Sequence, residues 1–371
     1  MTERELESDR AVHTSKHEAM VPDVSGDSER IEVIDLIRGL AAFSVCWFHF
    51  TQGNRGFLPD GWLRASGHLG TFGAEMFFVV SGFILPLTMY KRNYRVQHHG
   101  LAFMGKRVAR LHPPFLFAVA VAWGLWYLGS LVPGFQGEPL SIGLRDVVTH
   151  FTYTTAIVGD QWAIPALWAL AIEMQFYIVL ALAYAGLVDR RVWIRVGVVV
   201  AFALSSLLPI GGAFLPHWSS LFGLGLATFL FLRRLVSAPV YAGLAILCVA
   251  CSVYVQDWEV GLVALLTALA VAFVRLPMPK PIQWLGMISY SLYLLHIPIG
   301  GRVINLGTRL GDGMGTRLAV LAAAIVASIA AAYVAYLVIE KPAHRLARRI
   351  RYRPGAPARA VEGAEIAGPV L

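Results

Sequence analysis

The chain has 371 residues, of which 57% are hydrophobic and only 15% are charged, with a mean hydropathy of +0.62. Soluble domains carry about 25% charged residues, so this composition excludes an ordinary soluble globular protein. Because long apolar runs recur along the whole chain, we predict an all-α, polytopic membrane protein with about ten transmembrane helices.

The N-terminal segment differs from the rest of the chain. Residues 1–30 are polar and mixed in charge, and they lack the apolar core of a secretory signal peptide. We expect them to form a disordered cytosolic tail. Residues 31–345 then form the predicted membrane domain, and residues 346–371 form a basic, flexible cytosolic tail.

Ten apolar segments are candidates for membrane spans. They cover residues 34–52, 70–90, 112–132, 162–186, 193–210, 214–232, 238–255, 258–275, 283–304 and 316–340. The intervening stretch 141–158 is short and more polar, which is typical of a re-entrant or interfacial helix.

The net charge of +8 could indicate a nucleic-acid partner, but the positions of lysine and arginine along the chain match those expected of a membrane protein. Lysine and arginine cluster after the second, fourth, sixth and eighth spans and beyond the last one, whereas the loops between hold fewer. The loop with Arg302 and Arg309 is the main exception. Since cytosolic loops are enriched in these residues, we predict a protein of the inner (cytoplasmic) membrane with both termini in the cytosol and no nucleic-acid partner.

Three cysteines, Cys46, Cys248 and Cys251, all lie in apolar segments. Cys248 and Cys251 are spaced like half a zinc site, but no second pair of ligands accompanies them. Packing as small apolar side chains is the favoured interpretation, and we expect no metal site.

The first predicted span contains ionisable residues within the sequence IDLIRGLAAFSVCWFHF. Arg38 and His49 are eleven residues apart, so they project from one helical face about 16 Å apart along the axis. Asp35 lies one turn before Arg38 and is expected to pair with it. With Arg38 at the cytosolic edge, His49 would reach the middle of a hydrocarbon layer about 30 Å thick.

Two further polar side chains are expected at the same depth as His49. Glu173, in the fourth span, has no cation in its own helix and needs a partner elsewhere, for which His49 is a candidate. Ser81 lies in the sequence FFVVSGF of the second span, although serine next to glycine is also common where membrane helices pack closely. Because ionisable residues in lipid are costly, three polar groups at one depth predict a functional site.

Basic residues cluster at the predicted cytosolic entrance of the third span, KRVARLHPPF. Arg107 and Arg110, one turn apart, would present two guanidinium groups that suit phosphate, although the positive-inside bias alone also explains basic residues here. In the ninth span, LGMISYSLYLLHIP contains Tyr290, Tyr293 and His296. Such tyrosines are more often packing residues than catalytic ones, and the role of His296, a second intramembrane histidine, is open.

A histidine, a carboxylate and an arginine cluster can support proton transfer above a phosphate-bearing donor. A neutral histidine acts as a general base that deprotonates an acceptor hydroxyl, whose oxygen then attacks an acyl thioester. Proton-coupled transporters also bury histidine, glutamate and arginine, so these residue types alone leave a transporter open.

Six motifs occur in a family-specific order: IDLIRGLAAFSVCWFH, GTFGAEMFFVVSGFIL, KRVARLHPPF, LWALAIEMQFY, LGMISYSLYLLHIP and IEKP. Over roughly residues 31–345, the chain resembles the acyltransferase-3 family of integral-membrane acyltransferases, which includes bacterial O-acetylases of surface polysaccharides. Each motif alone is weak, but six in the right order are specific. Ala169 stands where the family usually has serine, and Glu75 where it often has aspartate, and neither change removes a group on which the mechanism depends.

The resemblance implies roles for the singled-out residues. His49 is expected to be the essential catalytic histidine, with Glu173 as a second catalytic candidate. The acyl donor, expected to be acetyl-coenzyme A, would be bound by Arg38, Arg107 and Arg110. Substrate-binding or supporting roles fall to Asp35, Ser81, Tyr290 and His296.

We therefore predict a membrane-embedded O-acyltransferase that transfers acetyl from acetyl-coenzyme A to a hydroxyl of a cell-surface or lipid-linked glycan. The expected partners are the acyl-coenzyme A donor, the glycan or lipid-linked sugar acceptor and the lipid bilayer, with no permanently bound cofactor. Acylation of a small metabolite such as a macrolide is an alternative, as is a proton-coupled transporter or acyl exporter. Transporters usually show paired halves with broken helices, which this sequence lacks.

Overall fold

The computed structural model describes residues 24–54, 56–132, 140–277 and 279–352. Within these residues the secondary structure is helical and contains no strand, as predicted. The two predicted tails lie largely outside the described residues, although the first helix already begins at Val24.

The described residues contain fourteen α-helices. They are α1 (Val24–Gln52), α2 (Trp62–Ala65), α3 (Gly73–Tyr90), α4 (Val96–Ser130), α5 (Leu144–Phe151), α6 (Trp168–Leu187), α7 (Val192–Ser205), α8 (Leu215–Leu232), α9 (Ala238–Val255), α10 (Trp258–Phe273), α11 (Lys280–Leu295), α12 (Arg302–Gly307), α13 (Met314–Ala335) and α14 (Lys341–Arg349). Two 3₁₀ segments, Ser66–Phe72 and Pro165–Leu167, and two π-helical segments, His296–Gly301 and Tyr336–Glu340, join neighbouring helices.

Seven helical stretches of the described chain are long and apolar enough to cross a membrane. They are Glu32–Gln52, Trp62–Tyr90, Val96–Ser130, Pro165–Leu187, Leu215–Leu232, Ala238–Val255 and Met314–Arg349. The other predicted spans correspond to α7, α10 and α11, which have 14, 16 and 16 residues. The multi-pass helical fold is therefore confirmed, whereas the predicted number of about ten spans is not.

Two predictions about smaller features can also be compared with the structure. The polar stretch 141–158 contains α5, which has only eight residues. The three cysteines are free thiols with buried side chains, in agreement with their predicted role in packing.

Helices α1 and α11 pack closely because glycines lie where their backbones meet. A Cβ atom on Gly286 would stand 2.3 Å from the carbonyl oxygen of Asp35, and one on Gly39 would stand 3.1 Å from the backbone nitrogen of Gly286. Small residues let membrane helices approach in this way. The two helices run parallel, since Asp35 lies beside Gly286 and the ring of His49 lies beside that of His296.

A second close approach joins α3 to α8. A Cβ atom on Gly225 would stand 2.7 Å from the Cα atom of Gly82, so a larger residue at either position would push the helices apart. Aromatic side chains fill the space around this contact, with the ring centroids of Phe78 and Phe222 4.8 Å apart. Ser81, the residue before Gly82, is buried beside this contact.

Candidate active site

A cavity of about 360 Å³ lies between α1, α3, α4, α6 and α11. This volume falls in the range of about 300–1,000 Å³ that is typical of small-molecule sites. We call it the arginine cavity because three arginines line one part of it. Seven of the nine predicted site residues line this cavity: Asp35, Arg38, Ser81, Arg107, Arg110, Glu173 and Tyr290.

Two of the three arginines are held by residues of their own or neighbouring helices. The Nη1 atom of Arg38 lies 3.3 Å from Oδ1 of Asp35, which confirms the predicted pair. The guanidinium group of Arg107 lies over the rings of Phe103 and Tyr177, at 5.2 and 5.5 Å from their centroids. Its Nε atom is buried and has no hydrogen-bond partner among the described residues.

The third arginine, Arg110, is positioned by residues of α14 and of the π-helical segment before it. Arg110 Nε donates a hydrogen bond of 3.1 Å to Nε2 of His344, whose ring also lies 3.6 Å from Oε1 of Glu340. Glu340 is almost fully buried and accepts a hydrogen bond of 2.6 Å from the Ser291 hydroxyl. This network was not predicted from the sequence, although the carboxylate of the IEKP motif was a signal for it.

The arginine cavity therefore has an excess of positive charge. Three arginines line it against two acidic residues, Asp35 and Glu173, and one of those acids is already paired with Arg38. Guanidinium groups bind phosphate oxygens through two parallel hydrogen bonds, so this arrangement suits a ligand with several phosphates.

Glu173 and Ser81 meet in the same cavity, as their predicted depth indicated. The Ser81 hydroxyl donates a hydrogen bond of 2.7 Å to Oε1 of Glu173, and Tyr177, one turn further along α6, lines the same cavity. No hydrogen bond between Glu173 and His49 is found in the described part of the chain. Glu173 thus accepts a hydrogen bond from Ser81 and does not form the expected pair with His49.

His49 lines a different cavity, also of about 360 Å³, which we call the histidine cavity. Its lining includes the side chains of Asn54, Trp126, Arg302 and Asn305. His49 lies in the last turn of α1, three residues before its end at Gln52, whereas Arg38 lies eleven residues earlier on the same helix and lines the arginine cavity.

Two aromatic rings lie between the two cavities. Tyr293 lines the arginine cavity, and its ring centroid is 6.1 Å from that of His296. The His296 ring is in turn 5.2 Å from that of His49, which lines the histidine cavity. Within the described chain, His296 Nε2 is buried without a hydrogen-bond partner, while its Nδ1 lies 3.1 Å from the Leu292 carbonyl oxygen. Tyr293 of the arginine cavity and His49 of the histidine cavity thus contact the same side chain, His296.

The tyrosines of α11 donate hydrogen bonds to neighbouring helical segments. The Tyr290 hydroxyl donates a hydrogen bond of 2.8 Å to the carbonyl oxygen of Leu111 on α4. The Tyr293 hydroxyl donates one of 2.5 Å to the carbonyl oxygen of Ala166, next to Pro165 of the histidine cavity. Both contacts agree with the packing role that such tyrosines usually have.

Several lining residues of the histidine cavity were missed by the sequence analysis. Asn54, Trp126 and Asn305 carry no local signal, because only the packing of α1, α4 and α12 brings them together. Arg302 did carry one, since it departs from the distribution of cations along the chain.

These features define a multi-pass helical membrane protein with two cavities, one lined by three arginines and the other by a histidine. A family profile described as an acyltransferase domain matches residues 31–337. The chain therefore belongs to the acyltransferase-3 family, as its six motifs predicted.

Similar proteins with assigned names are bacterial O-acetyltransferases. A peptidoglycan O-acetyltransferase of Listeria monocytogenes is 24% identical over 321 residues, which cover 72% of this chain and 49% of the relative. A putative peptidoglycan O-acetyltransferase of Bacillus subtilis is 24% identical over 341 residues, covering 77% of this chain and 50% of the relative. An O-acetyltransferase of Staphylococcus aureus is 29% identical over 165 residues, covering 42% and 25%.

The chain thus spans about half the length of the first two of these relatives. No solved structure matches the chain.

Proposed function

We propose that this protein is an O-acetyltransferase of the cytoplasmic membrane that transfers acetyl from acetyl-coenzyme A to a hydroxyl of a cell-surface or lipid-linked glycan. Family membership and the names of the similar proteins support this function. The observation that carries it is the pair of cavities, because Tyr293 of one and His49 of the other both contact the ring of His296. A donor and an acceptor of different chemistry need two sites that meet at one reactive group.

In this proposal the arginine cavity binds the donor. The phosphates of coenzyme A contact Arg38, Arg107 and Arg110, whose positive charge exceeds that of the acids in the cavity. The pantetheine arm extends past Glu173 and Ser81, where the carboxylate accepts hydrogen bonds from the amide groups of the arm. Arg38 and His49 are about 16 Å apart along α1, a distance comparable to the length of this arm.

His49 serves as the general base of the transfer. Its ring nitrogen takes the proton of the acceptor hydroxyl, and the hydroxyl oxygen forms a bond to the thioester carbonyl carbon. The carbon–sulfur bond then breaks, and the leaving thiolate takes the proton back from His49 to give free coenzyme A. The thioester reaches His49 by passing the rings of Tyr293 and His296, which must move aside or admit the arm between them.

The proposal also sets the orientation in the membrane. The arginine cavity opens towards the cytosol, where acyl-coenzyme A is made, and the histidine cavity opens towards the opposite face, where surface glycans are assembled. The distribution of lysine and arginine along the chain supports this orientation, which places both termini in the cytosol.

Release of coenzyme A tests the proposed reaction. Purified full-length protein in lipid nanodiscs is mixed with acetyl-coenzyme A and a soluble glycan acceptor, and free thiol and acetylated glycan are measured together. We expect both products in equal amounts, and we expect His49→Ala to reduce the rate by at least about a hundredfold, the lower bound for a general base.

The matched control is His68→Ala, because His68 is an exposed histidine that lines neither cavity. This variant should keep the rate of the unmodified protein. Near-normal turnover by His49→Ala would overturn the role of this residue. Binding of acetyl-coenzyme A without thiol release or transfer to any glycan would overturn the reaction and favour a transporter.

A further inference from the structure

The histidine cavity contains an arginine whose charge is not neutralised by the described protein. Arg302 lines the cavity, and within the described residues it has neither an ion pair nor a hydrogen bond from its side chain. The described lining of the cavity contains no aspartate or glutamate. The charge of Arg302 is therefore directed to the cavity without an anion of the chain to balance it.

Two other arginines at the same end of the bundle form ion pairs with aspartates. Arg64 pairs with Asp60 at 2.6 Å, and Arg317 pairs with Asp312 at 3.1 Å. These pairs reduce the free positive charge of the surface, as expected on the face where the topology disfavours cations. All three arginines are half-buried, but only Arg302 lines the histidine cavity, and among the described residues it has no acidic partner.

The remaining polar groups of the cavity suit a sugar. Asn54 Nδ2 donates a hydrogen bond of 3.2 Å to Oδ1 of Asn305, so both amides are oriented at the edge of the cavity. The half-buried indole of Trp126 offers an apolar surface of the kind on which the carbon face of a sugar ring packs. A concave site in which polar groups stand at fixed positions beside apolar surface is typical of a specific ligand site.

We propose that the histidine cavity selects an acceptor with an anionic group close to the hydroxyl that is acylated, and that Arg302 binds this group. This role of Arg302 rests on the proposed function only because it takes the histidine cavity as the acceptor site. The anionic group is either the carboxylate of an acidic sugar or the phosphate of a lipid-linked sugar, since a guanidinium group binds both through paired hydrogen bonds.

This assignment also explains the departure of Arg302 from the positive-inside pattern. An arginine on the non-cytosolic side opposes the topology signal, and a half-buried charge without a partner is costly. An anionic acceptor supplies the missing countercharge and places its neighbouring hydroxyl in the cavity that His49 lines.

The test is a comparison of three probes that share one sugar ring. They are the methyl glycoside of N-acetylglucosamine, which is neutral, the methyl glycoside of N-acetylmuramic acid, which adds a carboxylate, and N-acetylglucosamine 1-phosphate. Dissociation constants are measured with full-length protein in nanodiscs by ligand-observed NMR titration. We expect at least one anionic probe to bind about tenfold more tightly than the neutral probe, and its identity distinguishes carboxylate from phosphate.

Variants of two arginines then assign the preference. Arg302→Ala should remove the advantage of the anionic probe and leave the neutral probe unaffected, while Arg302→Lys should retain part of it. Arg309→Ala is the matched control, because Arg309 is an exposed arginine of the same connection that does not line the cavity. The melting temperature of each variant shows whether it is folded, and in the unmodified protein the preference should also shrink at high ionic strength.

Equal affinities for all three probes in the unmodified protein would overturn the inference. The role of Arg302 would be overturned if the Arg302→Ala variant kept the preference for anionic probes. It would also be overturned if the Arg309→Ala variant lost this preference to the same extent. Because binding requires no acetyl transfer, a protein that selects anionic sugars but never releases coenzyme A would refute the proposed reaction and leave this selectivity standing.

Discussion

Replacing Arg107 and Arg110 with alanine tests whether the arginine cavity binds the phosphates of coenzyme A. Both guanidinium groups are held in position before any ligand arrives. Arg107 lies over the rings of Phe103 and Tyr177, and Arg110 donates to the ring of His344. Ordered groups lose less conformational entropy on binding, so their contribution to donor affinity should approach that of a full charge-assisted contact.

The magnitude follows from the number of charges removed. A hydrogen bond to a charged group contributes about 1.5–3 kcal/mol, and about 1.4 kcal/mol corresponds to a factor of ten in affinity. Each single substitution should therefore raise the Michaelis constant for acetyl-coenzyme A about 10- to 100-fold. The maximal rate should change little, because the phosphates lie far from the thioester and contribute uniform binding.

The assay compares two donors. Acetyl-coenzyme A and acetyl-pantetheine carry the same thioester, but acetyl-pantetheine lacks every phosphate. We expect both Arg107→Ala and Arg110→Ala to raise the Michaelis constant for acetyl-coenzyme A and to leave that for acetyl-pantetheine unchanged. Arg92→Ala is the control, because Arg92 is exposed, packs over the ring of Tyr352 and does not line the cavity.

Two results would refute the reasoning. An unchanged Michaelis constant for acetyl-coenzyme A in both variants would exclude a phosphate site at these arginines. An equal loss with both donors would mean that the arginines support the fold or the reaction and not the phosphates.

Two other properties can be tested directly. The three native cysteines are buried, so a membrane-impermeant maleimide should react only with an introduced thiol. It should label His68→Cys in intact cells, but Arg92→Cys only after permeabilisation. The reverse pattern would contradict the proposed orientation. Gly286→Val should lower the free energy of unfolding by about 1–3 kcal/mol, measured by thermal unfolding, because its Cβ would stand 2.3 Å from the Asp35 carbonyl oxygen. Gly124→Val is the control, since nothing lies within 4 Å of the corresponding Cβ, and an equal loss there would show that helix propensity and not close packing sets the effect.

The relative positions of side chains on one helix could be predicted from the sequence. The spacing of Asp35 and Arg38 predicted their contact, and the spacing of Arg107 and Arg110 predicted that both would line one site. Such relations follow from the fixed rise and turn of an α-helix, which hold whatever the helix packs against. The apolar runs likewise predicted a helical membrane fold, because only internal hydrogen bonding satisfies the backbone in lipid.

Relations between helices were predicted less well. Glu173 was expected to meet His49, but it accepts a hydrogen bond from Ser81. The His344 and Glu340 side chains that position Arg110 were not anticipated at all. The predicted number of spans is not confirmed, because α7, α10 and α11 are shorter than the seven helical stretches that are long enough to cross a membrane.

The sequence by itself thus determined the helical class, the family and most of the residues around the arginine cavity. Only the tertiary structure divided the site into two cavities, placed His49 in the second one and put Arg302 beside it. The physical reason is that helix geometry is local, whereas the partners of a side chain depend on how closely remote backbones approach. Here those approaches are set by glycines such as Gly286 and Gly225, which bring α1 against α11 and α3 against α8.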